Sequence, residues 1–193
     1  GTGPKAGGPL TVTHLTKRAR PNLPDAAGPA ASREAVQGAI DAVSAEERVL
    51  EFTDMPGPTG ESNRLTVHPR GVVICAGPGL AAAERQAKDA RADGNGVVMV
   101  APGVKGAPSP HFRAVDGVLS AADLASLSRF AGVVYDGERA ALRAALAERD
   151  GAIIPLVSSG ERLVLERHLC IDTTAAGGNA KLLSSTEEDP LAA

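Results

Sequence analysis

Continuous apolar runs and helical periodicities alternate along residues 71–159. Three runs, GVVICAG, GVVMVAP and AGVVYDG, are typical of strands buried on both faces of a parallel sheet, and AIIPLVSS predicts a last strand. A short strand, AVDGVL, is predicted after the second run. Helical spacing of apolar residues separates these strands over residues 78–94, 121–130 and 138–151. This order predicts an α/β fold, a Rossmann-like parallel sheet with right-handed crossover helices.

Polar residues and glycines at the helix ends support this interpretation. Ser120 and Asp123 match a capping box at the start of the second helix. Asp136 is the predicted cap of the third helix, and Gly151 is its predicted stop. Gly94 is predicted to end the first helix, because glycine readily takes the left-handed conformation at a helix end.

The predicted Rossmann-like domain covers residues 32–160 and begins with a helix and two strands. Ser32 is the predicted N-cap of the helix, and four apolar residues share one helical face. They are Val36, Ala39, Ile40 and Val43. Residues 48–71 predict two short strands around a Pro/Gly turn.

Three further segments flank this domain. Residues 1–31 predict a Gly/Pro loop, a short strand and an extended linker arm. Residues 161–183 begin with a long alternating strand, ERLVLERHLCID, which has no obvious partner inside the α/β unit. Residues 184–193 are polar and acidic, and we expect them to be disordered.

Composition narrows the classes of function. The 193 residues include 43% hydrophobic but only 2% aromatic residues, so the core must consist of aliphatic side chains. A net charge of −3 argues against nucleic acid as a main partner. There is no visible signal peptide or apolar run long enough for a bilayer, and two cysteines suggest a reducing compartment, so we expect a cytoplasmic location. The chain begins with Gly1 on a glycine-rich loop, and we expect it to be a C-terminal piece of a longer protein.

The sequence GPGLAA, residues 77–82, follows the first buried strand. Gly77 and Gly79 are weak cofactor-binding candidates, since such glycines can bring the backbone close to a pyrophosphate. However, Pro78 removes an amide, and the second strand ends in Ala101 where a nicotinamide site expects an acidic residue. A plain strand-to-helix turn is favoured. A small nucleotide-binding Rossmann module using this loop is the alternative, which NAD binding in calorimetry would support.

The histidines and cysteines give no clear site. Four scattered histidines show no ligand spacing, so no metal site is predicted. Cys75 lies in a buried strand and is interpreted as core packing. Cys170 and His168 share a face of the late strand, which would allow a thiolate–imidazole pair. Strand packing is favoured there, and an independent Rossmann-like enzyme using this pair is a third hypothesis.

Two stretches are rich in small or turn-forming residues. Residues 54–63, DMPGPTGESN, predict a surface loop rather than a partner site. Residues 173–179, TTAAGGN, would let another backbone approach closely, and Asn179 could bond backbone groups. Two interpretations of this second stretch are open: a segment laid across another protein surface, or a simple flexible tail.

Three motifs, in order along the chain, resemble the proline utilisation A family. Residues 1–9, GTGPKAGGP, resemble a loop near the C-terminus of its aldehyde dehydrogenase module. Residues 55–63, MPGPTGESN, resemble its LPGPTGE-N segment, and residues 165–183 resemble its C-terminal motif. The chain is identified as the C-terminal region of a long family member.

The resemblance implies a bifunctional parent oxidoreductase that combines proline dehydrogenase and L-glutamate-γ-semialdehyde dehydrogenase. FAD and NAD would bind to upstream modules, which also hold the catalytic cysteine. This chain, with an aldehyde-dehydrogenase-like fold, is therefore expected to bind no cofactor and to be inactive alone. Its partner would be the aldehyde dehydrogenase module of the same or a paired chain. The parent would be a homo-oligomer that could also bind peripherally to a membrane.

The resemblance also implies contact residues at both ends. The implied lid over an internal substrate tunnel consists of Thr173, Thr174, Ala175, Ala176, Gly177, Gly178 and Asn179. The implied loop of the dehydrogenase module includes Gly1, Thr2, Gly3, Pro4, Lys5, Gly7 and Gly8. Two residues depart from the family pattern, since Asp172 replaces Asn and Lys181 replaces a small hydroxyl residue. Each adds charge where the lid would pack.

Overall fold

A computed structural model describes residues 22–57 and 60–172. In chain order its elements are α1 (Arg33–Asp41), β1 (Glu51–Met55), β2 (Glu61–Pro69), β3 (Val72–Cys75), α2 (Gly79–Ala92), β4 (Gly96–Ala101), β5 (Phe112–Asp116), α3 (Ala121–Ser126), β6 (Gly132–Val134), α4 (Ala140–Ala147), β7 (Leu156–Val157) and β8 (Val164–Asp172). They form two sheets of different character.

The larger sheet is parallel and has the strand order β5-β4-β3-β6-β7. A helix connects each pair of successive strands except β4 and β5, and α2 lies on the opposite face of the sheet from α3 and α4. All six residues of β4 are buried, which is why this strand reads as a continuous apolar run. The predicted α/β, Rossmann-like fold is confirmed.

The sheet separates two hydrophobic clusters. Successive side chains of a strand point to opposite faces, so Ile74 belongs to one cluster and Val73 to the other. The first cluster also contains the apolar face of α1, including Val36 and Ile40. On the other face lie Ala83 and Ala87 of α2. The predicted buried face of the first helix is therefore confirmed in full, since Ala39 and Val43 are buried as well.

Two of the three predicted helix caps are present. The Ser32 hydroxyl accepts a hydrogen bond from the Ala35 amide at 3.4 Å, and the Ser120 hydroxyl accepts one from Asp123 at 3.0 Å. The predicted cap at Asp136 is wrong. Helix α4 begins later, after Arg139, and the Asp136 carboxylate is bound elsewhere. Local spacing could not reveal this because the competing partners are distant in sequence.

Element ends also differ from the prediction at four places. Helix α4 ends at Ala147, so the predicted stop at Gly151 is wrong. Helix α3 ends at Ser126 because Leu127 already has an extended backbone, with φ −70° and ψ 153°. Strand β5 begins at Phe112, two residues before the predicted start. Strand β7 has only two residues.

The second sheet, which we call the flap, consists of β1, β2 and β8. Both pairings are antiparallel, and β2 is the central strand. β2 and β8 pair over their whole lengths, from Pro69 opposite Val164 to Glu61 opposite Asp172. The expectation that the late strand has no partner inside the predicted domain of residues 32–160 is therefore wrong: it pairs with β2, about a hundred residues earlier.

Several predicted features lie outside the described residues. They are the dehydrogenase-module loop and early strand within residues 1–21, and the lid and tail within 173–193. The domain boundaries at residues 31, 160 and 183 remain predictions.

Candidate functional site

The strand order places a candidate site at the carboxyl ends of β3 and β6. The chain proceeds from β3 to β4 and β5 on one side, then crosses to β6 and β7 on the other. In sheets of this kind, ligands bind in the crevice where the order reverses. Here the crevice is bordered by Gly77 in the β3–α2 loop, by Gly79 at the start of α2, and by the β6–α4 loop after Tyr135.

Gly77, one of the two weak cofactor-binding candidates, is bound by a side chain of the chain itself. The backbone takes the left-handed region at Gly77 and Gly79, with φ of 91° and 74°. Gln86 of α2 accepts from the Gly77 amide at 2.9 Å and donates to its carbonyl at 2.6 Å. Pro78 has no amide hydrogen. The Gly77 amide, which a phosphate would need, is thus already satisfied.

Asp136 extends this arrangement across the crevice. Its carboxylate accepts a hydrogen bond from Gln86 at 3.0 Å and one from the Ser159 amide at 2.7 Å. The Ser159 hydroxyl also donates to it. The Asp136 amide donates to the Gly77 carbonyl at 2.8 Å. The β3–α2 loop, the β6–α4 loop and the segment after β7 are therefore held together by one polar network.

Residues 22–31, which we call the arm, pass over the same crevice. The Leu23 amide donates to the Asp136 carbonyl at 2.7 Å. Ala26 lies near Gly79, since a β-carbon built on that glycine would be 3.9 Å from the Ala26 Cβ. Further along, the Ala31 amide donates to the carbonyl of Val118, just beyond β5, at 2.9 Å. The arm thus runs along the carboxyl edge of the sheet.

Asp25 anchors the arm in the crevice. Its carboxylate accepts from the Tyr135 hydroxyl at 2.6 Å and from the Glu138 amide at 3.1 Å. Gly137 allows this approach, because a β-carbon there would lie 2.2 Å from the Asp25 carboxylate. Burial, followed by the hydrogen bond and the charge of Asp25, raises the pKa of Tyr135 well above its ordinary value. Tyr135 is therefore a neutral hydrogen-bond donor over the physiological range.

Sequence reasoning missed Gln86, Asp25 and Tyr135. One signal was available for Gln86, because it falls among the small apolar residues on the buried face of α2. A buried glutamine needs hydrogen-bond partners, so its position could have indicated a bound loop. No local pattern marks Asp25 as a partner of Tyr135, since 110 residues separate them.

The two cysteines occupy opposite environments. Cys75 is fully buried in β3, and burial raises the pKa of its thiol. This agrees with its interpretation as core packing. Cys170 is exposed on β8, and its Sγ lies 3.1 Å from a carboxylate oxygen of Glu61. The Cys170 thiol donates this hydrogen bond to Glu61, a partner that the hypothesis of a pair with His168 did not include.

The described residues contain neither a metal-binding cluster nor a membrane-spanning helix. Within residues 22–57 and 60–172, no group of three His, Cys, Asp or Glu side chains is arranged to hold a metal ion. Over the same residues, no helix has the length and apolar character needed to cross a bilayer.

The outward faces of the flap carry apolar side chains. Phe52 on β1 is 57% exposed, and Leu165 and Leu169 on β8 are 38% and 46% exposed. The paired residues Thr66 and Arg167 place Phe52 on the same face as the two leucines. One face of the flap therefore carries three exposed apolar side chains interspersed with polar ones such as Thr66 and Arg167, without a covering helix in the described chain.

Comparison with known proteins identifies one group of relatives. No protein-family model matches the chain. The bifunctional protein PutA of Salmonella typhimurium is 30% identical over an alignment 231 residues long, which covers 95% of this chain and 17% of that protein. The Escherichia coli protein of the same name is 30% identical with the same coverage, and the Rhizobium meliloti protein is 33% identical over 95% of this chain and 18% of its own length. The chain thus spans about a sixth of these relatives, and the resemblance found in the sequence is confirmed.

Solved structures give a partial overlap. A Burkholderia cenocepacia protein assigned as an aldehyde dehydrogenase overlaps with 63% of this chain and 28% of its own, with 17% identity and a TM-score of 0.45. An aldehyde dehydrogenase from Brucella melitensis biovar abortus overlaps with 56% and 27%, with 17% identity and a TM-score of 0.42.

Proposed function

We propose that this chain, similar to PutA proteins over 95% of its length, is the non-catalytic C-terminal region of a bifunctional enzyme that oxidises proline to glutamate. Upstream modules would bind FAD and NAD and supply the catalytic cysteine. The region would act in the cytoplasm, within a homo-oligomeric parent whose association with a membrane, if any, is peripheral. It would support assembly of the aldehyde dehydrogenase module and close the tunnel through which the semialdehyde travels.

The non-catalytic role is supported by one observation: backbone amides of the crevice are bound by side chains of the chain itself. The Gly77 amide is bound by Gln86, and the Glu138 amide is bound by Asp25. Both are backbone groups at the reversal point, where a nucleotide-binding sheet uses its amides for the ligand. Because the chain fills these positions with its own side chains, the sheet is suited to act as a scaffold.

The flap supports the second part of the proposal. Strand β8 ends at Asp172, directly before the implied lid at residues 173–179. The exposed apolar side chains of the flap, such as Phe52 and Leu169, are suited to pack against another protein module. A paired strand that leads from a rigid unit would deliver the following segment to a fixed place on that module.

The lid is tested in the full-length enzyme by replacing Gly177 and Gly178 with valine. Branched side chains would hold the lid off its seat, because glycine permits closer backbone approach and positive φ. We expect a lag in NADH formation from proline and free intermediate that o-aminobenzaldehyde traps in solution. Oxidation of added semialdehyde should be affected much less.

A valine substitution at Gly38, an exposed position on α1, serves as the control and should cause neither a lag nor trapped intermediate. If the double variant shows no lag and no trapped intermediate, residues 173–179 do not form a lid. An equal loss of both activities would instead assign the segment to support of the active site.

A further inference from the structure

A cluster of polar side chains lies where the flap meets the parallel sheet. We call Arg70, Asn95 and Arg162 the base cluster. Arg70 directly follows β2, Arg162 lies two residues before β8, and Asn95 lies between α2 and β4. Asn95 is only 1% exposed, so its polar atoms must be satisfied by protein groups or by buried water.

Asn95 binds both chain segments that enter and leave the flap. Its side-chain oxygen accepts from the amides of Arg70 and Gly71 at 2.9 and 3.2 Å, at the end of β2. Its amide nitrogen donates to the Leu163 carbonyl at 3.0 Å, at the start of β8. The same nitrogen lies 3.2 Å from the Ala90 carbonyl in α2. One buried side chain thus joins the two flap strands to a helix of the sheet.

The two arginines add connections around this side chain. Arg70 donates from Nε to the Ala131 carbonyl at 2.9 Å, which links the flap to the start of β6. It also donates to the Val164 carbonyl at 3.4 Å. These bonds, together with those of Asn95, fix the first residue of β8 relative to the parallel sheet.

Arg162 connects β1, the edge strand of the flap, to the end of α2. Its Nε donates to the Asp93 carboxylate at 3.0 Å, at the end of α2, and Nη1 donates to Glu51 at the start of β1. The Arg162 side chain is 38% exposed, so its removal need not disturb the core. Together the three residues hold β1, β2 and β8 at the end of the flap nearest the parallel sheet.

Because β8 is long, a small change in its angle at the base cluster moves its far end by a large distance. Its nine residues extend roughly 27 Å, at about 3.4 Å per residue. A tilt of about 10° at the base would move the far end by about 5 Å, a full inter-strand spacing. Small changes at the base cluster would therefore be amplified at Asp172.

We infer that Asn95, Arg70 and Arg162 are positioning residues that set the direction in which the flap leaves the Rossmann-like unit. They fix the place to which β8 delivers the chain after Asp172. The consequence for tunnel closure rests on the proposed function; the direction of the flap does not.

Flap direction is measured by the distance between two spin labels on the 193-residue chain. Cys170 is an exposed native site near the free end of the flap, whereas Cys75 is fully buried and should not react. A second label is attached through Glu84→Cys on the exposed face of α2. The labelled protein with an unmodified base cluster should give one narrow distribution of the distance between the two labels.

The main variant is Arg162→Gln, which removes both ion pairs at an accessible position. We expect the mean distance to shift or the distribution to broaden by about 5 Å, and Arg162→Lys to restore part of the change. Asn95→Asp keeps acceptors for the Arg70 and Gly71 amides but, when ionised, has no donor for Leu163. It should also broaden the distribution. Arg85→Gln, at an exposed position of α2, is the matched control and should leave it unchanged.

Unchanged distributions in both Arg162→Gln and Asn95→Asp would overturn the inference, since backbone pairing alone would then set the direction. Trapping of free intermediate by the full-length Arg162→Gln enzyme is measured separately. A changed distance without leakage of intermediate would leave the positioning role intact and count against the lid function.

Discussion

The Rossmann-like unit and the flap bury their strands to very different degrees. Every residue of β4 is buried, whereas every residue of β1 is exposed. The parallel sheet has helices packed on both faces, and its side chains form two hydrophobic clusters. The flap has backbone pairing and contacts at its base, but little core of its own. A small antiparallel sheet with little core of its own has little independent stability, so its exposed apolar side chains are suited to be covered by another module.

The largest expected difference concerns aliphatic side chains. Replacing the fully buried Ile74 of β3 with alanine should lower the free energy of unfolding by about 4 kcal/mol, because the cavity cannot collapse within the sheet. Leu169→Ala on the flap, where the side chain is 46% exposed, should change it by less than about 0.5 kcal/mol. Urea unfolding measures both. Similar losses for the two variants would show that the flap shares the core, contrary to this comparison.

The second largest difference in the free energy of unfolding should separate a buried polar side chain from a partly exposed one. Gln86→Leu leaves the Gly77 amide without its acceptor inside the crevice, which should cost about 2 kcal/mol. Asn63→Leu on β2 removes a 3.3 Å bond to Glu61 at a partly exposed site, and should cost less than about 0.5 kcal/mol. Thermal and urea unfolding of the pair would test this ordering. A neutral Gln86→Leu variant would mean that water replaces the glutamine in the crevice.

The smallest effect concerns the hydrogen bond that anchors the arm. Tyr135→Phe removes the bond to Asp25 and should lower the free energy of unfolding by about 1.5 kcal/mol. Phe52→Ala, at an exposed ring of the flap, should lower it by less than about 0.5 kcal/mol. An equal effect at both rings would remove this contrast between the two regions.

The same contact has a defined pH dependence. The pKa of Tyr135 is raised above its ordinary value of 10.0, so the unfolded tyrosine ionises first. Its contribution to stability should be complete below pH 10 and decline as the pH rises further. Tyr135 is the only tyrosine in the chain and there is no tryptophan, so near-ultraviolet absorbance follows it directly. In Asp25→Asn the pKa should fall partway, because burial remains. An unchanged titration would exclude Asp25 as a cause of the shift.

Much of the Rossmann-like unit could be predicted because its signals are local. The Ser32 and Ser120 caps act within three residues, and both are present. The crevice was harder to predict. Asp136 looked like a local cap, yet its carboxylate binds Ser159, 23 residues later, and Gln86, 50 residues earlier. A side chain with several candidate partners is assigned correctly only when the distant ones are in place.

The sequence by itself determined the parallel sheet, because strands buried on both faces need continuous apolar runs such as those of β3 and β4. It also determined the apolar face of α1, through its helical spacing. Only the tertiary structure decided that β8 pairs with β2 and that Asp25 lies against Tyr135. These contacts join segments about a hundred residues apart. Periodicity reports which face of an element is buried, but the partner on that face is selected by the packing of the whole chain.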